Sequence, residues 1–146
     1  MKRTFRADVM TDGMAEGVAL VSGRGFTFAH GVDPRTGIVR DAHSDLKGES
    51  VRGRILFYPH GKGSTTGSAW FLEAVRRGNA PLALVTEGVD PSSVVGSVLA
   101  RLIYGKVIPV MKGSKAYHSV KSGDIVTVDT AAGKIIVESR PRTRPF

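Results

Sequence analysis

Alternating or continuous apolar positions predict strands near both ends of the chain, and turn residues separate them. Residues 31–37 are expected to form a turn, because Pro34 fixes φ and Gly37 tolerates a positive φ. Residues 130–133 carry similar turn chemistry and should join a hairpin, whereas the polar residues 41–50 should form a loop. The strands predicted in these flanking parts are 4–9, 17–21, 26–28, 125–129 and 134–137.

The middle of the chain follows a strand–helix–strand–helix–strand pattern. Residues 55–58 are apolar without alternation, which is typical of a strand covered on both faces. One helix over 69–77 should place Trp70, Phe71, Ala74 and Val75 on one side. A second helix should run from Pro91 to Gly105, because its apolar pairs 94/95, 98/99 and 102/103 recur every four residues. The strands of this region are predicted at 55–58, 82–85 and 107–110.

These elements indicate an α/β fold with a central, partly parallel sheet. Helices that link parallel strands are right-handed crossovers, and the two strand-rich flanks should add a β layer. A length of 146 residues corresponds to one domain. We expect this domain to cover residues 1–139, followed by a basic tail over 140–146 that is disordered or docks on a partner.

The net charge of +8 is concentrated at the two ends of the chain. Six basic side chains lie within residues 2–6 and 140–144, so residues 7–139 are close to neutral. No motif of base-stacking aromatic residues accompanies the charge, and specific nucleic-acid binding is therefore not expected. The apolar runs are too short for a membrane span, and no signal peptide is apparent. The absence of cysteine fits a cytoplasmic protein.

The segment 61–68, rich in glycine and hydroxyl side chains, lies between the predicted strand 55–58 and the first helix. Its glycines permit close approach of a ligand to the backbone, and the first N–H groups of a helix carry the positive end of the dipole. One hydroxyl would suffice as a helix cap, but this segment has four. It therefore favours an anion-binding cradle over a simple cap. The four hydroxyl residues are Ser64, Thr65, Thr66 and Ser68.

Common nucleotide and nucleophile motifs do not fit this segment. A P-loop requires a Gly-Lys pair followed by Ser or Thr, whereas Gly63 follows Lys62. A Gly-x-Ser-x-Gly elbow is also excluded, because Lys62 and Thr66 stand two residues either side of Ser64. The four histidines lack metal-ligand spacing, so no metal site is predicted.

Three further polar residues are candidates for supporting roles near the loop. His60 directly precedes it, although an ordinary surface or packing role explains this histidine slightly better. Asp41 and His43 form a polar pair before the main strand, and ordinary turn chemistry explains them equally well.

Four motifs resemble the small-subunit family of aconitase X, and the last of them is the most specific. They read Gly31-Val32-Asp33-Pro34-x-Thr36-Gly37, Asp41-x-His43, Leu46-x-Gly48-x-Ser50-Val51-x-Gly53 and Pro59-x-Gly61-Lys62-Gly63-Ser64-Thr65-x-Gly67-Ser68. The resemblance implies an aconitase-like swivelling β/β/α domain that acts in a hydro-lyase reaction. It also implies a separate large subunit, which supplies the cysteines of an iron–sulfur cluster and much of the substrate pocket. The cluster iron would take the departing hydroxyl.

By the same resemblance, Ser64 is the general base that removes a proton from carbon. A serine becomes competent as an alkoxide in a dry site lined by backbone N–H donors. The residues implied to contact a small anionic substrate are Lys62, Gly63, Thr65, Thr66, Gly67 and Ser68. Mevalonate 5-phosphate, dehydrated to an anhydromevalonate phosphate in isoprenoid synthesis, is favoured because Lys62 offers a cation and residues 59–65 are similar to archaeal members. The family alternative is cis-3-hydroxy-L-proline.

A hypothesis of another class is a stand-alone anion-binding or scaffold module. It would use the same cradle without a catalytic partner, and its basic tails would contact nucleic acid or an acidic surface. A neighbouring gene for a cysteine-bearing large subunit would favour the enzyme.

Overall fold

A computed structural model describes residues 1–63 and 66–140 and contains eight strands and three helices in these ranges. The strands are β1 (Lys2–Arg6), β2 (Asp8–Thr11), β3 (Met14–Val21), β4 (Arg54–Tyr58), β5 (Ala83–Thr86), β6 (Val110–Lys112), β7 (Ile125–Asp129) and β8 (Lys134–Glu138). The helices are α1 (Gly67–Arg76), α2 (Pro91–Tyr104) and α3 (Ser114–Ser119). Within the described residues, no helix combines the length and apolar character needed to cross a bilayer.

All eight strands form one mixed sheet in the order β1-β8-β7-β3-β4-β5-β6-β2. The central strands β3 to β6 are parallel, and the other strands pair antiparallel on either side of them. Only Ala7 separates β1 from β2 along the chain, although these strands occupy opposite ends of the strand order. The sheet therefore curls until its two edges approach each other.

Successive residues of β4 point into two separate cores. Leu56 and Tyr58 join the core beneath α1 and α2. Ile55 and Phe57 join the second core, which the curled sheet encloses together with part of α3. The predicted α/β class with a partly parallel sheet and crossover helices is confirmed. The expected β layer from the flanks is present as a continuation of the central sheet.

Three strand predictions need correction. The segment 4–9 is broken at Ala7, because β1 and β2 pair with different partners. The segment 26–28 is not a strand, since it makes only one isolated bridge, between Phe26 and Gly61. The segment 107–110 becomes a strand only at Val110, because Pro109 has no N–H to donate to the sheet. Helix α3 was not predicted.

The second helix forms where it is predicted, but its large apolar side chains do not mark its buried face. The buried residues of α2 are small, namely Ser93, Gly96, Ser97 and Ala100, whereas its large apolar side chains are mostly exposed. A Cβ atom built on Gly96 would lie 2.6 Å from the Phe71 ring, so the small residues let α2 approach α1 closely. The exposed apolar side chains of this helix are Val95, Val98, Leu102, Ile103 and Tyr104.

Candidate functional site

The glycine-rich loop leaves the carboxyl end of β4, in the middle of the parallel strands. Tyr58 ends β4 and Gly67 begins α1, as the sequence predicts for a strand–loop–helix unit. Gly63 adopts a φ of 89°, a left-handed conformation that favours glycine. Ser64 and Thr65 lie outside the described residues, so the predicted base remains a prediction.

Residues 60–62, the first arm of the loop, are held in place by hydrogen bonds to Phe26. The Phe26 N–H donates to the carbonyl of His60 at 3.0 Å, and the Lys62 N–H donates to the carbonyl of Phe26 at 3.0 Å. The rings of Phe26 and Tyr58 also lie 5.4 Å apart between centroids. The first arm is therefore fixed by backbone hydrogen bonds on one side, and the buried rings of Phe26 and Tyr58 pack beneath it.

Two predicted residues, Lys62 and Asp41, form an ion pair beside the loop. The Lys62 Nζ lies 2.7 Å from Asp41 Oδ2, and the two side chains are 35% and 15% exposed. This contact is the main reason that the pKa of Asp41 lies below its ordinary value, and the backbone N–H of His43 lowers it further. The charge of Lys62 is therefore largely compensated in the protein alone.

The two candidate histidines, His43 and His60, are exposed, and their side chains make fewer contacts near the loop than the ion pair does. His43 contacts Asp41 through its backbone N–H at 3.0 Å, while its own carbonyl accepts from Arg24. The Nδ1 atom of His60 lies 3.0 Å from the carbonyl of Gly61. His60 thus touches the loop with its side chain, whereas the described contacts of His43 are made by its backbone.

The start of α1 completes the far side of the loop. The carbonyl of Thr66 accepts from the N–H groups of Ala69 and Trp70, at 3.0 and 3.2 Å. Gly67 faces the first turn of α2, where a Cβ at Gly67 would lie 3.7 Å from the Cβ of Ser92. Ser68 follows in the first turn of α1. The amino ends of two helices therefore meet beside the loop, which adds positive dipole ends to its backbone donors.

Sequence reasoning missed an acidic residue that faces this loop. Asp90 precedes α2, and its Oδ2 accepts a hydrogen bond from the hydroxyl of Tyr58 at 2.6 Å. Aspartate before proline at a helix start ordinarily indicates an N-cap, so nothing in the local sequence pointed to the loop.

Two small cavities border the described part of the loop, with Lys62 and Gly63 between them. One, of about 250 Å³, lies toward Asp90 and the start of α2. The other, of about 190 Å³, lies toward Asp41 and His30. A larger cavity of about 860 Å³ lies where β1 is followed by β2, and none of the predicted site residues lines it.

The donors available on this chain suit an anion better than a metal cluster. The chain has no cysteine, and residues 1–63 and 66–140 contain no group of three His, Asp or Glu that could hold an ion. The loop instead combines backbone N–H groups, hydroxyl side chains and one lysine. Such a set can orient an anionic ligand and stabilise developing negative charge.

Comparisons with known sequences identify close relatives of most of this chain. Residues 4–137 match the family model described as the aconitase X swivel domain. A Thermococcus sibiricus protein named phosphomevalonate dehydratase small subunit is 38% identical over 126 residues, which cover 86% of this chain and 92% of the relative. A Methanosarcina acetivorans protein of the same name is 37% identical over 131 residues, covering 90% and 88%.

Solved structures show the same fold. The crystal structure of Thermococcus kodakaraensis aconitase X in its holo form matches with a TM-score of 0.84 and 32% identity. The match covers 92% of this chain and 98% of that one. A solution NMR structure of a UPF0107 protein matches with a TM-score of 0.79 and 38% identity, covering 91% and 97%.

Proposed function

Because the chain belongs to the aconitase X swivel domain family, we propose that it is the small subunit of a dehydratase acting on mevalonate 5-phosphate. The observation that carries this proposal is the similarity to relatives named phosphomevalonate dehydratase small subunit, at 37–38% identity over at least 86% of the chain. The proposed reaction is a hydro-lyase reaction, in which a hydroxy acid loses water.

In this proposal Ser64 is the general base, and the loop around it holds the substrate. The N–H groups of the loop and of the first turn of α1 would face the anionic substrate, together with Lys62, Gly63, Thr65 and the residues 66–68. The ion pair between Lys62 and Asp41 supports a precise placement of the lysine ammonium, because a paired side chain samples fewer conformations.

The family resemblance also implies an iron–sulfur cluster, and the residues of this chain do not fit one. Such clusters are held by cysteine thiolates, and this chain has none. We therefore propose that the large subunit holds the cluster and that this chain contributes the loop. The proposal places the complex in the cytoplasm, in keeping with the cysteine-free sequence.

A partner subunit is further supported by the exposed apolar side chains of α2. Leu102 and Ile103 are 74% and 59% exposed, and Val95 and Val98 lie on the same helix. Several large apolar side chains clustered on one surface are more typical of an interaction surface than of an isolated protein.

The test is an assay of the co-expressed two-subunit complex on mevalonate 5-phosphate and on cis-3-hydroxy-L-proline. We expect dehydration of the phosphorylated acid, and turnover of the proline derivative alone would instead support the alternative substrate. Ser64→Ala should lower turnover by roughly 10²-fold or more. Ser50→Ala is the matched control, because its hydroxyl accepts from the Arg52 N–H in a turn away from the loop. Near-normal turnover in Ser64→Ala would contradict the assignment of the base.

A further inference from the structure

Asp90 occupies the N-cap position of α2, but its carboxylate does not cap the helix. Its side chain makes no capping hydrogen bond and instead accepts from the hydroxyl of Tyr58 at 2.6 Å. The hydroxyl of Ser93 donates to the backbone carbonyl of Asp90 at 2.9 Å, which fixes the helix start from its other side. Because aspartate is among the best capping residues, its use for another contact suggests a separate role.

The carboxylate of Asp90 packs directly against the first glycine of the loop. A Cβ atom built on Gly61 would lie 2.5 Å from Asp90 Oδ1 and 2.9 Å from Oδ2, so no side chain fits between them. Phe26 holds the same stretch on its other side through the hydrogen bonds with His60 and Lys62. Gly61 is therefore confined between a backbone ladder and a carboxylate.

The donor that anchors Asp90 is rigid and stays protonated. Tyr58 is 0% exposed, at the end of the central strand β4, and its ring packs in the core beneath α1 and α2. Burial is the main cause that raises the pKa of Tyr58 well above its ordinary value, and the negative charge of Asp90 adds to it. The hydroxyl therefore donates to Asp90 throughout the physiological pH range.

We propose that Asp90 is a positioning residue for the dehydration, which sets the first arm of the glycine-rich loop through its contacts with Tyr58 and Gly61. The proposal rests on the function proposed above. The arm leads directly into the loop segment that carries the predicted base, and a displacement of about 1 Å in such a segment lowers a rate by about 10²-fold. A residue that acts only on this geometry should affect kcat more than KM.

The first experiment measures kcat and KM of the two-subunit complex for three variants. Asp90→Ala should lower kcat by about 10²-fold and leave KM within about threefold. Asp90→Asn should stay within about threefold of the wild type in both, because an amide oxygen can still accept from Tyr58. Ser97→Ala is the matched control, since it removes buried hydrogen bonds of the same helix, to Thr11 and to the carbonyl of Ile108, that lie outside the loop contacts. Equal losses in Asp90→Ala and Ser97→Ala, or a loss in Asp90→Asn as large as in Asp90→Ala, would overturn the proposal.

The second experiment measures amide hydrogen exchange in the full chain without its partner. The Lys62 N–H, which donates to Phe26, reports on the loop arm, and the amides of β4 report on the core. Asp90→Ala should accelerate exchange at Lys62 by about tenfold or more while the β4 amides keep their rates. Unchanged exchange at Lys62 would contradict the proposal even if activity falls. If the wild-type complex dehydrates neither acid, the proposed function fails, and the exchange at Lys62 still decides whether Asp90 holds the loop.

A double-mutant cycle of Gly61→Ala and Asp90→Ala tests directly whether these two residues act through their mutual contact. Gly61→Ala should displace the Asp90 side chain and accelerate exchange at Lys62, because the new Cβ would overlap the carboxylate. In the Asp90→Ala background the same substitution should have less than half that effect on the free energy of exchange. Additive effects of the two substitutions would show that Gly61 and Asp90 act independently and would overturn the proposed contact.

Discussion

Phe71→Ala tests whether the packing beneath α1 sets the position of the loop. The ring is 1% exposed and lies edge-on to Phe28, with 5.0 Å between the ring centroids. Its other side fills the space that Gly96 leaves on α2. Removal of the ring would therefore open a cavity among Phe28, α1 and α2.

The expected loss of stability is about 3–5 kcal/mol, the range for truncation of a buried phenylalanine to alanine. An unfolding entropy of roughly 2.1 cal/mol/K per residue gives about 0.3 kcal/mol/K for a chain of 146 residues. The melting temperature should therefore fall by roughly 10–16 °C. Because α1 begins immediately after the loop, the folded fraction of the complex should also turn over more slowly.

Calorimetry on the full chain, with turnover measured on the complex, checks both parts of this prediction. Leu102→Ala is the matched control, because it truncates a large apolar side chain that is 74% exposed, and it should change stability by no more than about 0.5 kcal/mol. A loss below about 1 kcal/mol in Phe71→Ala would refute the packing argument. A full loss of stability with unchanged specific activity would show that the loop keeps its geometry without this support.

Three further predictions follow from charges and ionisable groups. In a carbon-13 NMR titration, the Asp41 carboxyl should titrate below its ordinary range, and Lys62→Met should move it upward, because the lysine is the main cause of the shift. The stability contributed by this pair should accordingly be present at neutral pH and be lost only in acid. Above about pH 10 the unfolded state releases the Tyr58 proton first, so urea melts should show falling stability, less steeply in Tyr58→Phe. Deletion of residues 140–146 should weaken only salt-sensitive nucleic-acid binding, and loss of a sequence-selective affinity would contradict our interpretation of the tail.

The sequence predicted the fold best where segments of clearly different composition follow one another. The unit of β4, loop and α1 was predicted correctly because an apolar run, a glycine cluster and an amphipathic helix follow one another. The predicted orientation of α1 also holds, since Phe71, Ala74 and Val75 are buried. Trp70 is half-buried at the edge of the same core, against His30.

Apolar periodicity located α2 but did not mark its buried face, because close packing against α1 selected small residues over large ones there. Burial beside the Phe71 ring requires Gly96, and most large apolar side chains of α2 are exposed, although Val94 packs partly against the core. Asp90 escaped notice for a related reason: its contacts with Tyr58 and Gly61 join residues about 30 positions apart, and no local pattern records them. The ion pair of Asp41 and Lys62 joins two residues that the motifs had singled out separately.

The short step from β1 to β2 has a consequence for the synthesis of this protein on the ribosome. Lys2 of β1 pairs with Glu138 of β8, whereas Asp8 of β2 pairs with Lys112 of β6. β1 and β2 therefore stay unpaired until β8 and β6, each about 100 residues or more later in the sequence, have been synthesised. Pairings of such long sequence separation form slowly, and unpaired strands invite association with other chains. We expect the nascent chain to expose two strand edges until β6 and β8 have emerged from the ribosome, so that its yield depends on chaperones that cover such edges.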